Sequence, residues 1–394
     1  MEDAAAEPAI DRYHRQRILP EIADAGQARL RAGHAVIIGC GALGSHLAST
    51  LARAGVGALT IIDRDTVAWT NLQRQTLFTE EDARDGTPKA VAAGRAIARI
   101  NRDVRVDAIV DDLTAGSAQR LAPGIARLGT AGLARDSAEA PAVLLDGTDN
   151  FQTRFLLNDL AVASGAPMVY AGVLGTTGLT TTILPALPSL SPRERAGVRG
   201  SCDSESSSQP SPWRPTPCLR CLFDGAPPPG SAPTCDTAGV LGPAVSIIAG
   251  FQAAEALKIL TGAFGAVRRT LLEVDAWTGG VRQIDTTDAR RPDCPCCAMR
   301  RFDYLDSARG DDATVLCGAG VVQITPAEDA RLDLAALADR LAPLGVFHAN
   351  NHLLRGRLRE SGVELTVFVT GRAIIKGEDE PSRARAIYAR CVGS

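Results

Sequence analysis

Short apolar runs alternate with helical periodicities along the first 180 or so positions of the chain. Ala35-Val-Ile-Ile-Gly39 and Leu59-Thr-Ile-Ile-Asp63 read as strands. Between them Leu43, Leu47, Leu51 and Ala54 recur every three to four residues, the period of a helix. Strand, helix, strand is a βαβ unit, and it implies a parallel sheet buried on both faces. Ala142-Val-Leu-Leu-Asp146 reads as a later strand of that sheet. Residues 155–163 follow as a helix, 167–171 and 179–184 as strands, and 243–260 as a long apolar helix.

Two stretches break the pattern. Residues 186–217 are rich in Ser, Pro and Arg with almost no apolar period, and they read as a disordered insertion. Residues 114–140 are a second loose stretch, rich in Ala and Gly, with room for a helix. Beyond residue 300 the pattern resets. Val321-Val-Gln-Ile324, a helix carrying Leu334, Leu337 and Leu341, the strand Glu364-Leu-Thr-Val-Phe-Val369 and a helix over 383–390 predict a separate small α/β domain. The expected division is a first domain over 1–298, a linker over 299–313 and a second domain over 314–394. No internal repeat is evident.

Composition narrows the partners. The 394 residues are 45% hydrophobic and 22% charged, ordinary for a globular chain. A net charge of -3 and 4% aromatics supply neither a basic footprint nor a stacking platform, which argues against nucleic acid. The start of the chain is acidic and lacks the apolar core of a signal peptide. No uninterrupted apolar stretch reaches the ~20 residues that span a bilayer. The expected location is the cytoplasm, with no membrane partner. In that setting ten cysteines point to metal binding or catalysis rather than disulfides.

The most informative local pattern is Gly39-Cys-Gly41-Ala-Leu-Gly44, which follows a strand and opens a helix. Glycines there permit a tight turn and let backbone N–H groups approach a phosphate at the positive helix end. Asp63, at the tip of the next strand, is placed to accept hydrogen bonds from ribose hydroxyls. NAD, FAD and ATP all suit that loop, and no P-loop sequence is present to choose between them. Asn71-Leu-Gln-Arg74-Gln75 puts Asn71, Arg74 and Gln75 on one side of a helical turn, and Lys89 follows at a helix start. Arg74 and Lys89, taken singly, read as solvated surface charges. Two cations converging on one nucleotide loop fit a triphosphate better than a dinucleotide.

Arg12-Tyr-His-Arg15-Gln16, Gly39 to Gly44, Asp63-Arg-Asp65, Asn71-Leu-Gln-Arg74-Gln75, Lys89, and Asp146-Gly-Thr-Asp149-Asn150 with Arg154 occur in this order. Together they resemble the ubiquitin-activating-enzyme-like adenylyltransferases of sulfur-carrier proteins (ThiF/MoeB/HesA, of thiamin and molybdopterin biosynthesis) over roughly residues 10–298. The resemblance implies an α/β fold with a Rossmann-like sheet, parallel in its first half and mixed in its second, flanked by helices. It implies ATP-dependent adenylation of the C-terminal glycine of a small ubiquitin-fold sulfur carrier ending in Gly-Gly, in a homodimer. Asp149 would hold the Mg²⁺ of the triphosphate, with Asn150 and Arg154 shaping the pocket beside it. Arg15 would reach the phosphates from the partner subunit, while Arg74 and Lys89 neutralise charge as pyrophosphate leaves. Read from the residues alone, DGTDN is a strand-to-helix turn with Asp149 as the helix cap.

Cys218-Leu-Arg-Cys221 and Cys294-Pro-Cys296-Cys297 form a C-x₂-C pair of pairs, enough for a closed tetrahedral site, and the resemblance implies structural zinc there. Cys296 is spare. Cys235 precedes the long apolar helix, where a thiol can be activated; the resemblance implies a covalent sulfur or acyl linkage there, against a plain small buried residue. Cys40 reads as a small residue in a tight loop, and Cys202 falls in the insertion. The second domain lacks the cysteine-centred loop of a rhodanese. His348, Asn350, Asn351 and His352 read as polar loop. Two other classes stay open at this point. One is a Rossmann NAD(P)- or FAD-dependent oxidoreductase, which leaves Arg15, Arg74, Lys89, Asp149 and the cysteine pairs unexplained. The other is a non-catalytic carrier-binding scaffold, which has no physical need for those charged groups.

Overall fold

The computed structural model describes residues 11–118, 141–186, 213–225, 238–306, 313–315, 320–324, 331–359 and 361–392. The chain divides into two compact units. The first carries an eight-stranded sheet and extends to Asp306. Its strands are β1 (His34–Ile38), β2 (Ala58–Ile62), β3 (Arg105–Ile109), β4 (Ala142–Asp146), β5 (Met168–Leu174), β6 (Thr177–Ile183), β7 (Thr270–Asp275) and β8 (Gly280–Asp285). Their order is β3-β2-β1-β4-β5-β6-β7-β8. The pairs from β3 to β5 are parallel and those from β5 to β8 antiparallel, the mixed sheet that was expected.

Local sequence explains the parallel half. Helix Ala42–Ala54 turns Leu43, Leu47 and Leu51 inward, all buried, and ends on Gly55 in the left-handed conformation. Each such leucine is worth about 1.5–3 kcal/mol of burial. Helix Lys89–Ile100 buries Ala90, Ala93 and Ile97 against the same core. The helix expected over 155–163 starts earlier, running Phe151–Ser164, because Asn150 caps it. Strands β3, β7 and β8 were not foreseen. Every residue of β8 is exposed, so it carries no inward-outward alternation to read.

Helix Gly242–Thr261 is long and apolar enough to cross a membrane by length and composition, yet it is a core helix. It buries Val245, Ile248, Ala249, Ala256 and Ile259, together with hydrogen-bonded Gln252 and Glu255.

Two expected boundaries need correction. Residues 213–217, assigned above to the insertion, belong to the core of the first unit. Trp213 and Thr216 are buried, the Trp213 indole donates to Pro185 O at 3.0 Å, and Thr216 Oγ1 donates to Thr182 O at 2.9 Å. Residues 187–212 lie outside the described residues, as do 119–140. The start of the expected linker also packs on the first unit. Tyr304, in helix Asp303–Asp306, stacks on Phe155 with ring centroids 5.1 Å apart.

The second unit has β9 (Ala313–Val315), β10 (Val321–Ile324), β11 (Gly345–Ala349), β12 (Leu353–Leu358), β13 (Glu364–Phe368) and β14 (Ala373–Lys376). They pair antiparallel in the order β11-β12-β13-β14-β10-β9. Helices Leu334–Leu341 and Pro381–Cys391 contribute Leu337, Leu341, Ala384 and Cys391 to its core. Asn350 makes the β11–β12 turn by accepting from the His352 and Leu353 N–H groups.

Candidate nucleotide site and cysteine cluster

Strand β1 lies between β2 and β4, so the strand order reverses beside it. Ligands of doubly wound sheets bind at the carboxyl ends of strands at such a reversal. The loops that follow β1, β2 and β4 there are Gly39–Gly44, Asp63–Asp65 and DGTDN.

The three glycines of the first loop are held for different reasons. Gly39 has φ +83°, and a Cβ on it would lie 2.7 Å from Gly147 O. A Cβ on Gly44 would lie 1.9 Å from Gly39 O. Both are therefore demanded by the chain's own packing. Gly41 is not: the nearest neighbour of a Cβ there would be Gln75 Nε2, at 3.8 Å. Gly41 is also the N-cap of helix Ala42–Ala54, with no side chain capping the first turn. Uncapped N–H groups at the positive end of a helix form an anion site.

Asp63 ties this loop to β2. Its Oδ2 accepts from Cys40 N at 2.6 Å and its Oδ1 from Asp65 N at 2.7 Å. Burial pushes its carboxyl up to about 6 against the pull of Lys89, and the Asp65 charge adds to the rise. Lys89 Nζ sits 2.9 Å from Asp65 Oδ2. Burial alone would lower the Lys89 pKa, but Asp65, Asp63 and, less strongly, Asp149 together raise it, so the ammonium stays charged. Arg64 pairs with Asp112, and the charges of Asp112, Asp65 and Asp149 raise its pKa despite burial. Arg64 and Asp112 are site-lining charges not picked out from sequence, although Arg64 stands inside Asp63-Arg-Asp65.

In DGTDN every residue but one is pinned. Asp146 is fully buried, and its Oδ1 accepts from Thr148 N at 2.9 Å and Thr148 Oγ1 at 2.7 Å. Burial raises its pKa, opposed by Arg154, whose Nε is 3.8 Å away. Gly147 N donates to Ile38 O at 2.8 Å, and Arg154 Nη2 to Thr148 O at 2.9 Å. The Arg154 guanidinium also lies over the Phe151 and Tyr170 rings. The helix cap is Asn150, which accepts from Thr153 N at 2.8 Å, and not Asp149. Asp149 is left exposed, with no hydrogen bond or ion pair among the described residues.

The remaining sequence candidates divide. Gln75 is buried beside Gly41, and its Oε1 has no partner among the described residues. Asn71 spends its side chain accepting from Ala68 N at 3.0 Å. Arg74 Nη1 donates to Thr70 O at 2.9 Å. Arg15 is exposed. Cys235 and Cys202 lie outside the described residues.

Cys218, Cys221, Cys294 and Cys297 converge, all four Sγ atoms within 4.8 Å of one another. Sγ–Sγ separations are 4.0 Å (Cys218–Cys221), 3.6 Å (Cys218–Cys294) and 3.4 Å (Cys221–Cys297). Four thiolates bonded at about 2.3 Å to one tetrahedral ion stand about 3.8 Å apart, so the set fits such an ion. Hydrogen bonds from Cys218 and then Cys297 hold the Cys221 thiol well below its usual range. Cys296 is outside the set: its Sγ accepts from Asn158 Nδ2 at 3.3 Å, and Asn158 Oδ1 accepts from Leu219 N at 2.8 Å.

Known proteins with this pattern decide the family. A model of the ThiF family matches residues 13–296. The chain belongs to the ThiF family. Among its relatives is the sulfur carrier protein ThiS adenylyltransferase of Bacillus subtilis, 37% identical over 97% of this chain and 99% of that one. The match to that ThiF-family relative therefore spans both units. The sulfur carrier protein adenylyltransferase of Thermus thermophilus is 35% identical over 73% of this chain and 90% of its own. The SAMP-activating enzyme E1 of Haloferax volcanii is 32% identical over 76% and 94%. Of solved structures, E. coli MccB superposes with a TM-score of 0.53 at 18% identity, covering 74% of this chain and 73% of that one. That likeness is one of fold.

Proposed function

We propose that this protein is an adenylyltransferase that activates the C-terminal glycine of a ubiquitin-fold sulfur carrier with ATP. The observation that carries the reading is the convergence at one sheet end of an uncapped helix N-terminus, Lys89 and an unpartnered carboxylate, Asp149. The relatives named for sulfur-carrier adenylation support the substrate. The carrier carboxylate attacks the α-phosphorus of ATP, forming the acyl–O–P bond. The bond from that phosphorus to the bridging oxygen breaks, and pyrophosphate carries the electron pair away.

The polypeptide's task is positioning and charge neutralisation rather than covalent chemistry. Gly41 lets the backbone approach the phosphates, Asp63 orients the ribose, and Lys89 and Arg74 stabilise the leaving pyrophosphate. Asn71, Gln75, Asn150 and Arg154 shape the pocket, and Asp65 holds Lys89. Arg15 of the partner subunit completes the charge set in a homodimer. The exposed Ile247 and Phe251, one turn apart on the core helix, supply apolar surface for such a partner. Asp149 would hold Mg²⁺ through a hard oxygen ligand, and the ion would supply charge neutralisation on the triphosphate. ATP–pyrophosphate exchange, stimulated by a carrier ending in Gly-Gly, tests the reading. Exchange that no such carrier stimulates would refute it.

The four-cysteine set is proposed as a closed, structural zinc site. It joins helix Leu219–Leu222 to the 294–297 segment. Purified protein should carry one zinc per chain by elemental analysis. Cys221→Ser should lower both zinc content and melting temperature, with a loss of several kcal/mol because thiolate–metal bonds contribute directly to folding. Full zinc occupancy in Cys221→Ser would contradict the assignment.

A further inference from the structure

Strands β4 and β5 pair only at Leu144–Met168 and Leu145–Val169, and then part. At the gap, the carbonyls of Asp146 and Val169 are both bound by one side chain from another element. Gln252 Nε2, on helix Gly242–Thr261, donates to Asp146 O at 2.8 Å and to Val169 O at 2.9 Å. Gln252 is fully buried, and its Oε1 has no partner among the described residues.

A core amide that leaves its oxygen unpaired is a poor device for stability alone, since a leucine or methionine would fill the space with no unmet polar atom. What Gln252 supplies and an apolar residue cannot is a bridge from the core helix that binds the first residue of DGTDN by one hydrogen bond and β5 by the other. Beyond Asp146 the loop is held by Gly147 to Ile38, Thr148 to Asp146 and the Asn150 cap. Its origin thus sets where the one unpinned carboxylate stands. The same helix also meets the glycine-loop helix, through Ser246 Oγ and His46 Nε2 at 2.9 Å.

We infer that Gln252 is a positioning residue for Asp149, holding the DGTDN loop at the height where that carboxylate meets the metal–triphosphate. This rests on the adenylyltransferase reading above. Partners that orient metal ligands typically matter roughly 10- to 100-fold for metal affinity when removed.

The test is the Mg²⁺ dependence of equilibrium ATP binding and of ATP–pyrophosphate exchange in the full chain, with melting temperatures measured in parallel. Gln252→Met and the near-isosteric Gln252→Glu are compared with Leu260→Ala, a core truncation on the same helix. Both Gln252 variants should need roughly tenfold more Mg²⁺ for half-maximal binding and exchange. Leu260→Ala should melt earlier but keep the wild-type Mg²⁺ requirement. A wild-type Mg²⁺ requirement in whichever Gln252 variant folds would overturn the inference. Absence of exchange in the wild type would instead overturn the reading it rests on.

Discussion

Asp149→Ala is expected to reduce ATP–pyrophosphate exchange by roughly 10²- to 10³-fold or more, the range for losing a preorganised charge contact to a transition state. The same substitution should leave thermal stability within about 0.5 kcal/mol of wild type, as for surface changes that break no contact. The two halves of this expectation come from one observation. Asp149 is exposed and bonded to nothing among the described residues, whereas its neighbours Asp146, Thr148 and Asn150 hold the loop together. Its charge nonetheless acts on Lys89 and Arg64. Asp146→Ala should behave in the opposite way, destabilising the fold by removing the acceptor of both Thr148 bonds. Parallel exchange assays and melting curves of the two variants check this. An Asp149→Ala enzyme with near wild-type exchange would remove the metal-binding role.

The second large effect separates two glycines of one motif. Gly44→Ala would drive a Cβ to 1.9 Å from Gly39 O, a backbone atom with nowhere to go. A loss of about 3 kcal/mol or more, or failure to fold, is expected. Gly41→Ala meets only the end of Gln75, at 3.8 Å, so the protein should fold with little change. Its ATP affinity should nevertheless fall by roughly tenfold or more, about 1.4 kcal/mol, because the methyl group occupies the approach path of the phosphates. Circular dichroism with equilibrium nucleotide titration measures both. Undiminished ATP binding by Gly41→Ala would place the phosphates elsewhere.

Within the parallel half of the sheet β1, β2 and β4 were legible because they are largely buried and read as apolar runs, whereas the mostly exposed β3 was not read at all. The glycine loop announced itself between a strand and a helix. The cysteine set was legible from spacing, since two C-x₂-C pairs pre-arrange half a tetrahedron each. Exposed β8 and, in the second unit, β9, β11, β12 and β14 were not, because their residues alternate weakly, whereas β10 and β13 read as strands. The same limit hid Trp213 and Thr216, whose composition resembles the insertion they border but whose side chains bond to Pro185 and Thr182. Asn150 and Asp149 are equally good caps by type, so only geometry could show which one is free. Gln252 was invisible for a further reason. Its use depends on two strands parting more than eighty residues away in sequence, while its own helix reads as plain apolar core.

The most direct test of the central claim is intact-mass analysis of a Gly-Gly-ended sulfur carrier after incubation with this protein, ATP and Mg²⁺, with pyrophosphatase present to draw the reaction forward. The account predicts one added adenylyl group on the carrier, absent when its terminal glycine is removed and absent with Asp149→Ala. ATP bound by the protein with every such carrier left unmodified would contradict it.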